Sequence, residues 1–129
     1  MADLTAAADA VTTVAGGPGR PLVVVSPRGV LGNPSDPTRL DEATVVGDAL
    51  LVSLGRGHVR WLLDDCTLGS VDERSAVLAA SRLTLDLAPF GGGPVVVQHW
   101  TDAELVVTWD PELAQQLGAT RGALVQATP

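Results

Sequence analysis

One histidine, His99, could take part in acid–base chemistry with a carboxylate. The sequence predicts a hairpin of Val95–Trp100 and Ala103–Trp109 that turns at Thr101-Asp102. This register places His99 directly across from Glu104. At that spacing, a carboxylate can stabilise an imidazolium or tune a general base near neutral pH. An ordinary exposed cross-strand ion pair explains the same two residues and is the commoner arrangement.

A second set of polar side chains lies along another predicted hairpin, whose strands are Ala49–Leu54 and His58–Leu63. A thiolate beside a histidine is a nucleophile, but no spacing here holds His58 against Cys66. A lone cysteine after an apolar strand is more often a small buried residue. We therefore assign no catalytic residue. The candidate ligand-binding residues are His99, Glu104, His58 and Asp64.

Cofactor and metal chemistry is not expected. Phosphate-binding loops place backbone amides at a helix N-terminus, whereas Gly91-Gly92-Gly93 is followed by Pro94 and a β-branched run without lysine. A metal site needs three or four converging ligands, and the two histidines and one cysteine have no ligand spacing. The motifs of serine hydrolases, β-lactamases and zinc proteases are absent from the sequence.

Charge and composition limit the classes of partner and the cellular compartment that we expect. The formal net charge is −7 and the pI about 4.5, so the surface repels nucleic-acid phosphates and anionic lipids. A single cysteine cannot form an internal disulfide, which is typical of a reducing compartment. The N-terminus lacks the basic and apolar regions of a signal peptide, and no run approaches the roughly 18 apolar residues of a membrane span. We expect a cytoplasmic protein, or one assembled from the cytoplasm into a larger particle.

Interface residues are predicted in two places. Trp61 is expected in the core, whereas Trp100, beside the predicted turn, suits core packing and partner contact almost equally. In residues 1–19, Leu4 and Val11 follow helical spacing after a capping Asp. This segment is either a docked helix or a mobile arm, and we expect its deletion to weaken association and leave the fold intact.

Strands are predicted from β-branched and alternating runs at Leu22–Val25, Leu83–Leu87 and Thr44–Val46, the last turning at Gly47-Asp48. In the Ala49–Leu54 hairpin, a three-residue Gly55–Gly57 loop pairs Leu51 with Trp61. Ala123–Gln126 is predicted as the closing strand.

Two further helices are predicted. Ser70 and Glu73 have the spacing of a capping box, and an Ala- and Leu-rich stretch follows to Arg82. Asp110 and Pro111 predict the start of another helix, which Gly118 ends. The whole pattern predicts an α+β, β-rich fold of mostly antiparallel hairpins, an open sheet or partly open barrel with two short helices. The expected organisation is an arm or helix at 1–19 and one domain at 20–129.

The stretch from His58 to Asp72, with the predicted helix after it, resembles the strand–loop–helix of anti-sigma-factor antagonist domains. The phosphorylatable serine expected just after that aspartate is Glu73 here, and Gly47-Asp48 replaces the family's helix with a hairpin. No residue role is carried over from this resemblance.

Three functions follow from these observations. The first is a non-catalytic interaction or assembly module that self-associates or docks into a larger protein assembly, such as a virion or secretion particle. The alternative is a small enzyme or small-ligand-binding domain with a pocket near His99 and Glu104. A regulatory module of the anti-sigma-antagonist kind is a weaker third. We expect a protein partner, with a homo-oligomer as one form, and neither nucleic acid nor membrane.

Overall fold

A computed structural model describes residues 3–16, 22–27, 29–31, 39–88, 94–110 and 112–116. Two helices and eight strands lie in this part of the chain. They are α1 (Asp3–Ala15), β1 (Val23–Ser26), β2 (Gly29–Leu31), β3 (Leu40–Val46), β4 (Ala49–Leu54), β5 (Val59–Asp64), β6 (Thr67–Val71), β7 (Ser75–Leu87), β8 (Val96–Thr108) and α2 (residues 112–116).

The strands form one antiparallel sheet in the order β2-β1-β8-β7-β5-β4-β3. From β3 onward, strands that are consecutive in sequence are neighbours in the sheet except β5 and β6, so most connections are hairpins. β6 continues the line of β5 and pairs with the first half of β7, while β5 pairs with its second half. The predicted α+β, β-rich fold with an open sheet and two short helices is confirmed.

Helix α1 packs on one face of this sheet, here called the inner face. Its side chains Ala7, Val11 and Val14 are fully buried or nearly so, and they share one core cluster with Trp61 and Leu78. The helix contacts β3 at the sheet edge as well as β6 and β7. The sheet therefore curves around α1, which ends at Gly16 in a left-handed conformation (φ 64°).

A bend crosses the three neighbouring strand lines β5–β6, β7 and β8. In each line, two successive residues lie outside the core, whereas the residues on both sides of the pair contribute to it. These pairs are Asp64-Asp65, Ser81-Arg82 and Thr101-Asp102. Asp65 and Asp102 have φ values of 50° and 49°, which resets the period-two alternation. Because of this reset, the same face of the sheet remains apolar on both sides of the bend.

The opposite side of the sheet, here called the outer face, carries a smaller apolar cluster of Val23, Val25, Val106 and Ala114, the last from α2. Asp110 caps α2, since its Oδ1 accepts hydrogen bonds from the N–H groups of Glu112 (3.0 Å) and Leu113 (3.4 Å). The predicted Asp110 cap is confirmed.

The predicted strands at Leu22–Val25, Thr44–Val46 and Leu83–Leu87 are also present, as is the Gly47-Asp48 turn, where Gly47 has φ 60°.

The helix predicted from Ser70 to Arg82 is wrong, because this stretch forms β6, a tight turn and β7. Asp72 closes the turn: its Oδ1 accepts from the N–H groups of Arg74 (2.7 Å) and Ser75 (2.9 Å). The Ser70–Glu73 spacing, which predicts a helix cap, belongs instead to an aspartate turn. The small side chains after the turn, Ala76 and Ala80, pack in the core cluster with α1. The resemblance to anti-sigma-factor antagonists required a helix here and does not extend to the fold.

Two predicted hairpins differ from the structure. The β4–β5 register is shifted by one residue, pairing Val52 with Trp61, because the loop includes His58 as well as Gly55–Gly57. The hairpin predicted to turn at Thr101-Asp102 does not exist, because β8 runs through these residues and pairs with β7 along its length. The left-handed Asp102 marks the bend instead of a turn.

Predictions on the Gly91–Gly93 loop, the end of α2 at Gly118 and the closing strand Ala123–Gln126 lie outside the described residues.

Candidate functional site

The predicted ligand-binding residues do not come together. His99 and Glu104 lie on the same strand, where His99 is opposite Thr84 and Glu104 opposite Ala79. The predicted cross-strand pair of His99 and Glu104 is therefore wrong. Asp64 lies across β7 on another strand, and His58 lies in the β4–β5 loop beside the far end of β7. At about 3.3 Å per residue, His58 and Glu104 are about 30 Å apart along the sheet.

His58 has a structural partner. Its Nδ1 lies 2.8 Å from the carbonyl oxygen of Ala88, and its backbone N–H donates to the Gly55 carbonyl (3.2 Å). A backbone hydrogen bond from Ala88 to the His58 carbonyl completes the link (2.9 Å). These bonds tie the loop of one hairpin to the end of β7, which accounts for the histidine without a ligand.

Cys66 lies on the inner face, 5% exposed, in the same core cluster as α1. Burial raises the pKa of its thiol to about 11. The thiol is protonated at neutral pH and is a poor nucleophile. It borders a hollow of about 450 Å³ with Leu4, Asp48, Asp65 and Thr67.

The three predicted interface residues belong to the core of their own chain. Val11 is fully buried, so its position does not fit the predicted interface role. Leu4 is half-buried and packs against the same core cluster. Trp100 is also half-buried, with its ring centroid 6.3 Å from that of Trp61 and a tilt of 32°. Trp100 therefore packs against the core, although part of its side chain is exposed to solvent.

A shallow groove of about 330 Å³ lies at the bend, lined by carboxylates of Asp65, Asp102 and Glu104 and by the Ser81 hydroxyl. The Ser81 hydroxyl donates to Asp65 Oδ2 (2.9 Å) and to the Asp64 carbonyl (3.3 Å). These bonds join β7 to the β5–β6 connection where both bend. No group of three or more His, Cys, Asp or Glu residues in the described chain is placed to hold a metal ion.

The feature that sequence reasoning missed is the exposure of Val95, Val96 and Val97, here called the valine segment. These side chains are 54%, 48% and 59% exposed. Val96 and Val97 pair with Leu87 and Asp86 of β7, and within the described residues β7 is their one strand neighbour. β1 adds to β8 only at residues 106–108. A run of three valines is typical of a buried strand, so the sequence has no signal for this exposure.

No protein-family model matches the chain, and neither a curated protein nor a solved structure shows significant similarity to it. Within the described residues, no helix combines the length and apolar character needed to cross a lipid bilayer.

Proposed function

We propose that this protein is a non-catalytic interaction module whose valine segment receives an extended strand of a partner protein. The observation that carries the proposal is the exposure of three successive valines, each by about half, beside one described strand neighbour. Strand edges of this kind add a further strand through backbone hydrogen bonds, while pockets between alternate side chains select the sequence. We place the module in the cytoplasm or in a larger particle assembled there.

The apolar side chains supply the driving force. Completing the burial of a half-exposed valine is worth about 1 kcal/mol, so the three valines together contribute about 3 kcal/mol to binding, in addition to the backbone hydrogen bonds. Soluble proteins usually protect such edges with charges, proline or a bulge. Among the described residues, Pro94 and the bend at Asp102 protect the two ends of the segment.

Charge indicates the chemistry of the partner strand. The valine segment itself is uncharged, and Asp102 and Glu104 follow it toward the C-terminal end of β8. A strand added antiparallel to β8 brings its own N-terminal end beside these carboxylates. The partner is therefore an extended apolar segment with basic residues at its N-terminal end. A second copy of this acidic chain is a poorer match at this edge.

A synthetic peptide of alternating Val and Thr, with two lysines at its N-terminus and a fluorescent label, tests the proposal. Anisotropy should show saturable binding to the wild-type protein and binding at least about tenfold weaker to Val96→Asp. Val71→Asp is the matched control, since Val71 is 49% exposed at the β6–β7 turn and the charge change is the same. The control should bind like wild type.

A second peptide, N-methylated at alternate residues, cannot donate the strand hydrogen bonds. It should not bind if the contact is an added strand. Equal binding of both peptides, equal effects of Val96→Asp and Val71→Asp, or no binding to wild type contradicts the proposal.

A further inference from the structure

The outer face of β5 and β7 carries an ordered pattern of charge. The register places Arg60 opposite Asp86 and Asp64 opposite Arg82, with Leu62 opposite Thr84 between them. Opposite residues are about 5 Å apart, and the two charged pairs lie about 13 Å apart along the strands. The four residues Arg60, Asp86, Asp64 and Arg82, here called the charge quadrangle, therefore alternate in sign around the Leu62–Thr84 pair.

The charge quadrangle is accessible. Arg60 and Arg82 are exposed, and Asp64 and Asp86 are half-buried, as are Leu62 and Thr84 between them. An ion pair between Arg74 and Asp110 (3.2 Å) lies elsewhere in the fold. The guanidinium of Arg60 instead lies beside Gly57, where a Cβ, if one were added, would be 3.4 Å from the nearest guanidinium nitrogen.

An apolar residue flanks the Leu62–Thr84 pair on the β4 side, whereas the exposed His99 of β8 lies opposite Thr84 on the other side. Leu51 of β4 is opposite Leu62 and is also half-buried. The centre of the quadrangle is therefore less polar than its four charged corners, and protein interfaces likewise have fewer charged residues at the centre than at the rim.

We infer that a second copy of this chain packs face to face on the charge quadrangle. When two identical faces meet, the two-fold axis lies in the plane between them. With the axis along the strands, Arg60 faces Asp86 of the other copy and Asp64 faces Arg82. With the axis across the strands, Arg60 faces Asp64 and Asp86 faces Arg82. Both arrangements set every charge against its opposite.

This self-complementarity argues for a second copy and against an unrelated partner. Another protein needs the same alternating pattern by chance, whereas a second copy has it by symmetry. The quadrangle sums to zero charge, so its four residues add nothing to the repulsion expected from a net charge of −7. The proposal uses the outer face, where Val97 lies beside Asp86, whereas Val96 is opposite Leu87 and on the other face of the sheet.

The area of the outer face limits the affinity of the dimer. Five strands about 5 Å apart and about six residues long present about 500 Å² of planar surface. Standard interfaces bury about 800 Å² per partner. We therefore expect a weak dimer that dissociates on dilution.

Light scattering and sedimentation over about 1 µM to 1 mM test the inference. Wild type should pass from monomer to dimer, and Arg82→Asp should weaken the dimer at least about tenfold, since it sets two like charges together. The control is Arg56→Asp, an exposed loop residue with the same change of charge, which should dimerise like wild type. Val96→Asp should also leave the dimer intact, which separates this test from that of the valine segment.

Mixing two variants identifies the axis. Asp64→Arg should fail to dimerise alone, but a mixture of Arg82→Asp with Asp64→Arg restores both ion pairs if the axis runs along the strands. A mixture with Asp86→Arg restores them if the axis runs across the strands. Unfolding midpoints of each variant show that it is folded. A wild type that stays monomeric throughout, an unaffected Arg82→Asp dimer, or no restoration in either mixture overturns the inference.

Discussion

Among single residues, the three tryptophans show how differently one residue type is used in this fold. Trp61 is fully buried, and its indole N–H has no hydrogen-bond partner. Trp109 is half-buried, and its indole N–H donates to the Glu73 carbonyl at 2.7 Å. A buried donor without an acceptor costs about 1–3 kcal/mol. The packing of the Trp61 ring in the core must outweigh that cost.

Replacing Trp61 tests this balance. Trp61→Phe loses part of the ring but also removes the unpaired donor, so we expect it to destabilise the fold by about 1 kcal/mol. Trp61→Ala leaves a cavity and should cost about 3–5 kcal/mol. Denaturant unfolding measures both variants.

The matched control is Trp109→Phe, which removes a satisfied donor and leaves the Glu73 carbonyl without its indole partner. It should cost about 1 kcal/mol through the lost hydrogen bond. If Trp61→Phe lowers the free energy of unfolding as much as Trp61→Ala, the unpaired N–H of Trp61 does not destabilise the fold.

At the scale of elements, short polar side chains decide where strands turn or bend. Asp41 holds the β4–β5 loop, accepting from the N–H groups of Arg56 (3.0 Å) and Gly57 (2.7 Å). Asp72 holds the β6–β7 turn in the same way. Asp65 and Asp102 adopt left-handed conformations at the bend, which aspartate tolerates better than most residues. One residue type therefore marks a turn at one position and a bend within a strand at another.

The Asp72 turn gives stability a pH dependence. Hydrogen bonds from the N–H groups of Arg74 and Ser75 hold the pKa of the Asp72 carboxyl below its ordinary value of 3.8. The folded state therefore favours the charged form. This contribution is present above about pH 4 and is lost as pH falls through the lower, folded-state pKa.

Asp72→Asn and Asp72→Ala separate the charge from the turn. Asn keeps an acceptor oxygen, so its deficit relative to wild type should shrink as pH falls below 4 in urea unfolding. Ala loses the turn bonds and should be less stable than Asn at every pH. A wild-type–Asn difference that does not change between pH 6 and pH 2 shows that Asp72 is not the titrating group.

At the scale of the whole molecule, α1 and the sheet form one core. The helix contributes Ala7, Val11, Val14 and Ala15 to the cluster that contains Trp61 and Leu83. Because the sheet curves around α1, its inner face is covered only when the helix is present. We therefore no longer expect deletion of residues 1–19 to leave the fold intact.

A charged side chain on the buried side of α1 should lower the stability of the whole protein. Val11→Asp places a carboxylate in a fully buried site and should cost more than about 3 kcal/mol, because the ion has no partner there. The same charge at Ala6, on the exposed side of α1, should change stability by about 0.5 kcal/mol or less. Circular dichroism and denaturant unfolding measure both. If Val11→Asp unfolds like wild type, α1 is a detachable arm.

Local sequence patterns are sufficient to predict the class of fold and most of the strands. Alternating or β-branched runs locate Leu22–Val25 and Leu83–Leu87 because burial of one or both strand faces imposes those periods. The cap at Asp110 and the turn at Gly47 follow from local backbone chemistry, which needs no distant partner. None of the functional surfaces proposed here could be located in this way.

Contacts between distant parts of the chain select the conformation where local sequence patterns are compatible with more than one. Residues 75–82 have helix-forming composition, yet they form the central strand β7, because β8 on one side and β5 and β6 on the other satisfy its backbone and α1 covers its alanines. A turn at Asp102 would pair His99 with Glu104, whereas the chain bends there and continues. The exposure of the valine segment and the alternation of the charge quadrangle depend on which strands are neighbours and in what register. Pairing between distant parts of the chain sets both, and no local pattern records it.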